Sequence, residues 1–476
     1  MRSVALLASG TAAGQAIIVI ASPILLRFYQ PDQVGAFSLF LSLITLGAVI
    51  VTLRYDAALP MPSDGQEARD LLMLCVLVTI VLSCLLGLAG ILLGPVIALS
   101  AGSSSTIVML WPLVAAGSLL SGLQQIFALW GTRLQAFGPQ AASNVAAGAA
   151  QSSSQTLLGW LGVAGVGLPL GYLAGRIAWI AVFLGATSST WSRGSGVASP
   201  KRLISVANQY RRFPLFLMPS SVLNALSAQA PVLILTALFD LTVVGWFSLT
   251  LRILYLPGTL IGAAVGQVYY ARIRRADTTQ SIPITTGVFR ALLTIGTGPL
   301  VLLAIAGQEL FAVLFGEDWR EAGRYAQWMA PWLLLVFLAL PLTPMVFVRE
   351  RQRAELMFQF ALLIVRLTTL LAGWALGNPA AAVALFAFGS GALYGGYLVW
   401  LLRLTGLGTR LPIRWFTREI ATSLLLTVPV IVVVIADLRG ALWIAALAAT
   451  SILMSIRVYG AIRHFGHLLD PNLPTQ

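Results

Sequence analysis

The sequence predicts an all-α polytopic membrane protein with about 14 transmembrane helices: two pseudo-symmetric six-helix lobes followed by two C-terminal helices. Three observations carry this. Of 476 residues 58% are apolar and only 9% charged, at a mean hydropathy of +0.89, and a soluble fold of that composition could not cover its surface. The apolar residues fall into runs of the length a bilayer requires, about 20 residues of helix. The arginines, finally, are spread unevenly over the loops between those runs. Such a chain has no room for a large extramembrane catalytic domain.

The runs lie at 4–26, 33–53, 71–94, 107–132, 140–162, 168–187, 213–239, 243–267, 285–308, 324–348, 355–377, 380–402, 418–436 and 441–460, bounded by charges, Pro/Gly pairs or Ser clusters. The first follows Met1-Arg2-Ser3, is longer than a signal-peptide core and has no small-residue cleavage site after it, so it reads as a retained span. An even number of spans puts both termini on one side. If that side is the cytoplasm, 21 arginines and lysines face it and only four, Arg27, Arg320, Arg324 and Arg439, face the other. The longest inner loop, 188–212, reads as a cytoplasmic linker between an N-terminal lobe, 1–187, and a C-terminal lobe, 213–402; residues 403–476 then hold the two extra helices and a cytoplasmic tail. An internal repeat supports the division. Val34-Gly35-Ala36-Phe37-Ser38-Leu39 matches Val244-Gly245-Trp246-Phe247-Ser248-Leu249 at an offset of 210, and Gly159-Trp160-Leu161-Gly162 matches Gly373-Trp374-Ala375-Leu376-Gly377 at 214. Repeats of six spans share one orientation, and transporters so built bind their cargo between the halves near the midplane.

Twenty-eight of the 29 basic residues are arginine, and the net charge is +13. No basic stretch has the aromatic and polar interleaving of a nucleic-acid surface, so no nucleic-acid partner is expected. Arg176, Arg252 and Arg366 fall near the middle of the sixth, eighth and eleventh runs, and Arg290 one or two turns inside the ninth. A central arginine costs about 2.5–3.5 kcal/mol to insert. The 16 acids do not compensate: all fall at or beyond the ends of the runs, Asp56, Glu355 and Glu419 among them. This pattern predicts a water-filled cationic cavity that receives an anion, a phosphate or pyrophosphate bound bidentately by guanidinium groups. Arg290 is placed to snorkel toward the inner surface.

Polar uncharged residues add stripes. Asn144, Gly148, Gln151, Gln155, Gly159 and Gly162 share one face of the fifth run; Thr11, Gln15 and Ser22 lie along the first and Ser220, Asn224 and Ser227 along the seventh. These faces, with Gln15, Gln151 and Asn224 as candidate contacts, suit sugar hydroxyls and equally suit small-residue packing seams. The two histidines, His464 and His467, lie near the C-terminus, and Cys75 and Cys84 are nine residues apart on one run, roughly 13 Å along a helix, so they cannot pair. No catalytic residue, metal site or cofactor is expected. Ser63-Asp64-Gly65-Gln66 reads as a capping box before a short inner helix, and Glu317-Asp318-Trp319 as an interfacial tryptophan beside a cap.

Several segments resemble the polysaccharide transporter family, the Wzx-type lipid-linked oligosaccharide flippases. They are Pro23 to Asp32 (PILLRFYQPD) with Gly35, Leu53-Arg54-Tyr55-Asp56-Ala57-Ala58-Leu59-Pro60, Phe213-Pro214, Pro219-Ser220-Ser221, Leu251-Arg252-Ile253-Leu254-Tyr255-Leu256-Pro257 and Leu314-Phe315-Gly316-Glu317-Asp318-Trp319. The resemblance implies the multidrug/oligosaccharidyl-lipid/polysaccharide exporter fold in a bacterial inner membrane, with both termini cytoplasmic. It further implies alternating-access transfer of undecaprenyl-pyrophosphate-linked oligosaccharide units from the cytoplasmic to the periplasmic leaflet, for O-antigen or exopolysaccharide synthesis. The implied partners are that glycolipid, the bilayer, and polysaccharide polymerase and chain-length proteins. Carried over by motif, the binding arginines are Arg27, Arg54 and Arg252, whereas Arg176, Arg290 and Arg366 rest on their placement. The alternatives are a multidrug or ion antiporter of the same fold, disfavoured by the lack of carboxylates inside a lobe, and a polysaccharide polymerase or ligase, disfavoured by outer loops of about 15 residues at most.

Overall fold

The computed structural model describes residues 2–100, 105–163, 165–188, 199–258, 262–274, 278–408, 410–436 and 440–469. Ten residues of the expected linker (189–198), Arg275, Asp277, Asp437, Arg439 and the tail from Asp470 lie outside the described residues. Among those described there is no strand. The helices are α1 Arg2–Leu25, α2 Pro31–Thr52, α3 Gly65–Ser100, α4 Ser105–Arg133, α5 Phe137–Trp160, α6 Gly167–Ala186, α7 Pro200–Gln209, α8 Met218–Leu238, α9 Leu241–Pro257 and α10 Ala263–Ile273. They continue as α11 Thr278–Phe315, α12 Arg320–Ala339, α13 Pro344–Val348, α14 Gln352–Ala375, α15 Pro379–Leu404, α16 Arg410–Leu426, α17 Val428–Ile435 and α18 Ala441–Leu469.

Helices occupy all fourteen predicted segments. Among the described residues eleven are long and apolar enough to cross a bilayer, and α16 with α17 makes a twelfth span, bent by 57°. The bend follows from Pro429, whose missing N–H leaves the carbonyl a turn earlier without its helical partner. The remaining two segments are α5, diluted by Asn144, Gln151 and three consecutive serines, and the eighth. That segment, expected as one span over 243–267, is described as α9, ending at Pro257, and α10, starting at Ala263, with residues 259–261 between them outside the described residues. The capping box also differs from expectation. Asp64, not Ser63, accepts the Glu67 N–H at 3.1 Å, and the helix it caps is α3 itself, extended inward by a turn and a half. Backbone N–H groups of Glu67 and Gln66 hold the Asp64 carboxyl below its ordinary pKa.

The chain forms two compact units, Met1–Gly245 and Trp246–Gln476. In the first, α3 packs on α4, α4 on α6 and α5 on α6; in the second the corresponding pairs recur, α11 on α12, α12 on α15 and α14 on α15. The first unit reaches past residue 213, where the sequence places the start of the second lobe, because α8 packs on α2 and Ser42 donates to Gln229 at 2.9 Å. The described part of the linker is also structured. Amphipathic α7 lies on α3, with Gln209 and Tyr210 both donating to Glu67 at 2.7 Å and Arg202 3.7 Å from Asp70.

The polar stripe of α5 is a packing seam. A Cβ on Gly14 of α1 would stand 2.4 Å from the Asn144 carbonyl oxygen, and one on Gly148 of α5 2.4 Å from that of Gly14. Asn144 donates to Thr11 (2.9 Å) and accepts from Trp179 (2.7 Å), while Gln155 donates to the Leu168 carbonyl (2.9 Å). Small residues let the backbones meet and the amides bond across the gap, as expected where lipid offers no hydrophobic drive. The repeated Val-Gly motif closes a second seam inside the first unit. A Cβ on Gly35 would lie 1.8 Å from the Leu241 carbonyl oxygen, and one on Gly245 1.8 Å from that of Pro31. The two halves of this contact are related by the sequence offset of 210, so the repeat is its own partner.

Between α2 and α3 the chain folds tightly. Leu53 and Arg54 both adopt left-handed φ, +46° and +59°, at a cost of about 1–3 kcal/mol each. The 3-10 turn Tyr55–Ala58 then drives Asp56 into a core of Ala58, Leu59, Leu71, Cys75, Ile126 and Trp130. Asp56 is fully buried and 3.7 Å from the Arg54 guanidinium, with no hydrogen bond of ordinary geometry to either oxygen. Burial pushes its pKa up, against the pull of Arg54 and the Thr52 hydroxyl. Sequence reading put this acid at the inner boundary and gave no sign of its burial.

Replacing Gly35 or Gly245 by alanine is expected to lower thermal stability by on the order of 1–3 kcal/mol. Gly396→Ala, on α15 with nothing within 4 Å, should not. Equal melting temperatures for all three would refute the seam. For Asp56 the native pKa lies above the unfolded 3.8, so its protonated form favours folding at low pH, and that contribution is lost as pH rises through the raised native value. Asp56→Asn should therefore flatten the fall in melting temperature as pH rises above about 4. An unchanged slope would show that Asp56 does not titrate differently in the folded protein.

Candidate functional site

Arg176 projects from the middle of α6 and donates to the Gln124 side-chain oxygen on α4. Its guanidinium lies 4.5 Å over the Tyr172 ring, and Tyr172, one turn earlier, is fixed by a 3.1 Å hydrogen bond to Ser121 and by edge contacts with Phe37 and Phe40. An amide and an aromatic face thus replace the missing carboxylate, a cation–π contact being worth about 0.5–2 kcal/mol. Nε of Arg176 is buried without a hydrogen-bond partner.

The second unit solves the same problem similarly. Arg366 on α14 stands 5.9 Å over Trp332 of α12 and 5.7 Å over Phe386 of α15. Those rings meet edge to face at 5.2 Å, and Tyr255 of α9 closes on Trp332 at 6.4 Å. Three polar groups of this cluster are buried without partners: Nε of Arg366, Nε1 of Trp332 and Oγ of Ser390, one turn after Phe386. Nε and Nε1 can only donate. Arg252 precedes Tyr255 by three residues on α9 and is exposed, with no ion-pair or hydrogen-bond partner among the described residues. Glu355, three turns before Arg366 on α14, is already engaged by Tyr397 and by Gln359 at 2.8 Å.

The other candidates separate. Arg27 is exposed in the turn after α1, and Arg54 is the partner of buried Asp56. Arg290 lies 5.5 Å over Trp415 and faces a cleft between α11, α16 and α18. Gln151 is half-buried beside Gly175, within the α5–α6 seam, while Gln15 and Asn224 are exposed. Sequence reasoning missed the aromatic partners, Tyr172, Trp332 and Phe386. Tyr172 was within reach, since it precedes Arg176 by one helical turn; the other two come from different helices and leave no local signal. Trp319, expected at the interface, is instead almost completely buried, and it is Trp246 that donates to the Asp318 carbonyl at 2.9 Å. Among the described residues no three His, Cys, Asp or Glu side chains come together as metal ligands.

Comparisons with known proteins bear on the family and the fold. Residues 24–324 match a family model described as polysaccharide biosynthesis protein. No curated protein matches the sequence. Among solved structures, a lipid II flippase MurJ in an inward closed conformation superposes with a TM-score of 0.72 at 12% identity, covering 96% of this chain and 99% of its own. An inward-facing multidrug resistance MATE transporter of the MOP superfamily gives 0.63 at 14% identity, covering 82% and 95%. A MOP superfamily transporter from Pyrococcus furiosus, described by the reversed polarity of its binding pocket, gives 0.54 at 12%, covering 85% and 95%. At such identities the likeness is one of fold. With the family match spanning well over half of the sequence, the chain belongs to the polysaccharide biosynthesis protein family, as a polytopic membrane protein with the fold of MOP-superfamily flippases and transporters.

Proposed function

We propose that the protein is a flippase that moves an undecaprenyl-pyrophosphate-linked oligosaccharide unit from the cytoplasmic to the periplasmic leaflet of a bacterial inner membrane, supplying O-antigen or exopolysaccharide synthesis. The observation that carries the reading is the treatment of Arg176, Arg252 and Arg366: each sits well inside a helix, and none has a carboxylate partner among the described residues. An ion pair would neutralise such a residue permanently; amide and ring contacts hold it and leave its charge in place. The unfilled donors of Arg366 and Trp332 supply directed hydrogen bonds for phosphate oxygens. The family's description supports polysaccharide synthesis as the setting, and the fold neighbour named as a lipid II flippase supports a lipid cargo.

In this reading the pyrophosphate, which cannot cross hydrocarbon unaided, exchanges its hydration for guanidinium contacts while the polyprenyl tail stays in the bilayer. A guanidinium needs no proton exchange to bind a phosphate, so the contact can form whichever leaflet the site faces. The bent α16–α17 pair is the candidate hinge. Polysaccharide polymerase and chain-length proteins would act on the delivered unit. A cationic-drug antiporter fits less well, because carboxylates such as Glu355 are held at helix ends by tyrosine and glutamine.

Arg252→Ala should cut glycan export at least about tenfold in a flippase-deficient strain at matched membrane expression. Arg252→Lys should restore it only in part, because a point charge lacks the bidentate fork, and Arg410→Ala should have little effect. Wild-type export by the alanine variants at 176, 252 and 366 would sink the proposal.

A further inference from the structure

A second cationic site lies away from those arginines, in the second unit. A cleft of about 230 Å³ between α11, α16 and α18 is lined by Arg290, Trp415, Arg418, Glu419, Thr422 and Arg457. Glu419 is committed: it takes Arg457 at 2.5 Å and the Thr294 hydroxyl at 3.4 Å. Arg290 rests 5.5 Å over Trp415, and neither it nor Arg418 has a carboxylate partner among the described residues. Three arginines against one glutamate leave an excess of two positive charges around a space large enough for a phosphate group and its substituents.

The surroundings distinguish what brings that phosphate. Arg410, Arg414 and Arg418 recur every fourth residue, a basic stripe along one side of α16. One turn beyond the cleft the same helices turn large apolar side chains outward, Leu424 and Leu425 on α16 and Ile452, Leu453 and Ile456 on α18. Charge beside outward-facing hydrocarbon, with a tryptophan among the arginines, is the arrangement that takes an anionic headgroup while acyl chains lie along the helices. The arginine bias puts this end of the helices on the cytoplasmic side, where anionic lipids are met.

We propose that this cleft binds the phosphate of an anionic phospholipid headgroup, with Arg290 and Arg418 as the phosphate ligands, Arg457 held in reserve by Glu419, and Trp415 fixing Arg290. The site is independent of the transported cargo: no residue of it is among those assigned to the pyrophosphate above except Arg290, which the sequence grouped with them and the structure separates. A soluble diphosphate shares the chemistry, and the test tells the two apart.

The full-length protein in phosphatidylcholine vesicles with and without phosphatidylglycerol should retain phosphatidylglycerol on extraction, read by native mass spectrometry, and gain thermal stability from it. Arg290→Gln and Arg418→Gln should each weaken retention about fivefold, and Arg353→Gln should leave it unchanged. Glu419→Gln, which frees Arg457, should strengthen retention by a similar factor, a gain that misfolding cannot mimic. Retention insensitive to Arg290, Arg418 and Glu419 overturns the proposal. Inorganic pyrophosphate stabilising the protein in phosphatidylcholine alone, through Arg290 and Arg418 and without phosphatidylglycerol retention, overturns the lipid assignment in favour of a soluble anion.

Discussion

A guanidinium in the hydrocarbon region must be solvated by something, and in this protein the solvating groups are not acids. An insertion cost of about 2.5–3.5 kcal/mol per central arginine is met at Arg176 by Gln124 and the face of Tyr172, and at Arg366 by Trp332 and Phe386. Such partners lower the cost of burial without cancelling the charge. Much else is arranged around that constraint. Tyr172 needs Ser121 and the Phe37 and Phe40 edges, and Trp332 needs Phe386 and Tyr255, so residues from α2, α4, α9, α12 and α15 exist in part to keep two cations in place.

The carboxylates are handled in the opposite way. Among the described residues several acids are bound up locally: Glu317 and Glu309 by Arg320, Glu419 by Arg457, Glu67 by Gln209 and Tyr210. Asp56 is the exception in degree, fully buried beside Arg54 at a turn whose two preceding residues are left-handed. A strained turn that forces an acid into an apolar core is costly in itself, and it couples the protonation of Asp56 to the conformation of the α2–α3 connection.

What the sequence disclosed follows from what is local. Fourteen helical segments, the 210-residue repeat and the arginines without acidic neighbours all rest on hydropathy, spacing and counts within one run, and they reappear in the helices. The repeat even yields a contact, since Gly35 and Gly245 meet each other's helix. The remainder depends on which helices become neighbours. Whether Gln151 and Asn144 faced cargo or α1 and α6 could not be read from a polar stripe, because both uses call for the same small and amide residues; the close approach of Gly14 and Gly148 decides for packing along that face. Arg290 reads in sequence as a boundary arginine placed to snorkel, and what the sequence does not show is that α16 and α18 bring Trp415, Arg418 and Arg457 to it.

The proposed role of the uncompensated arginines is to hold an anionic headgroup. Its most direct measurement is the affinity of the reconstituted protein for a polyprenyl-pyrophosphate-linked saccharide, compared with a variant in which Arg176, Arg252 and Arg366 are all glutamine and whose folding is verified by its melting temperature. The account predicts that binding falls by about a hundredfold or more while the fold persists, since several charge-assisted hydrogen bonds are lost together. Undiminished affinity in the folded triple variant would contradict it.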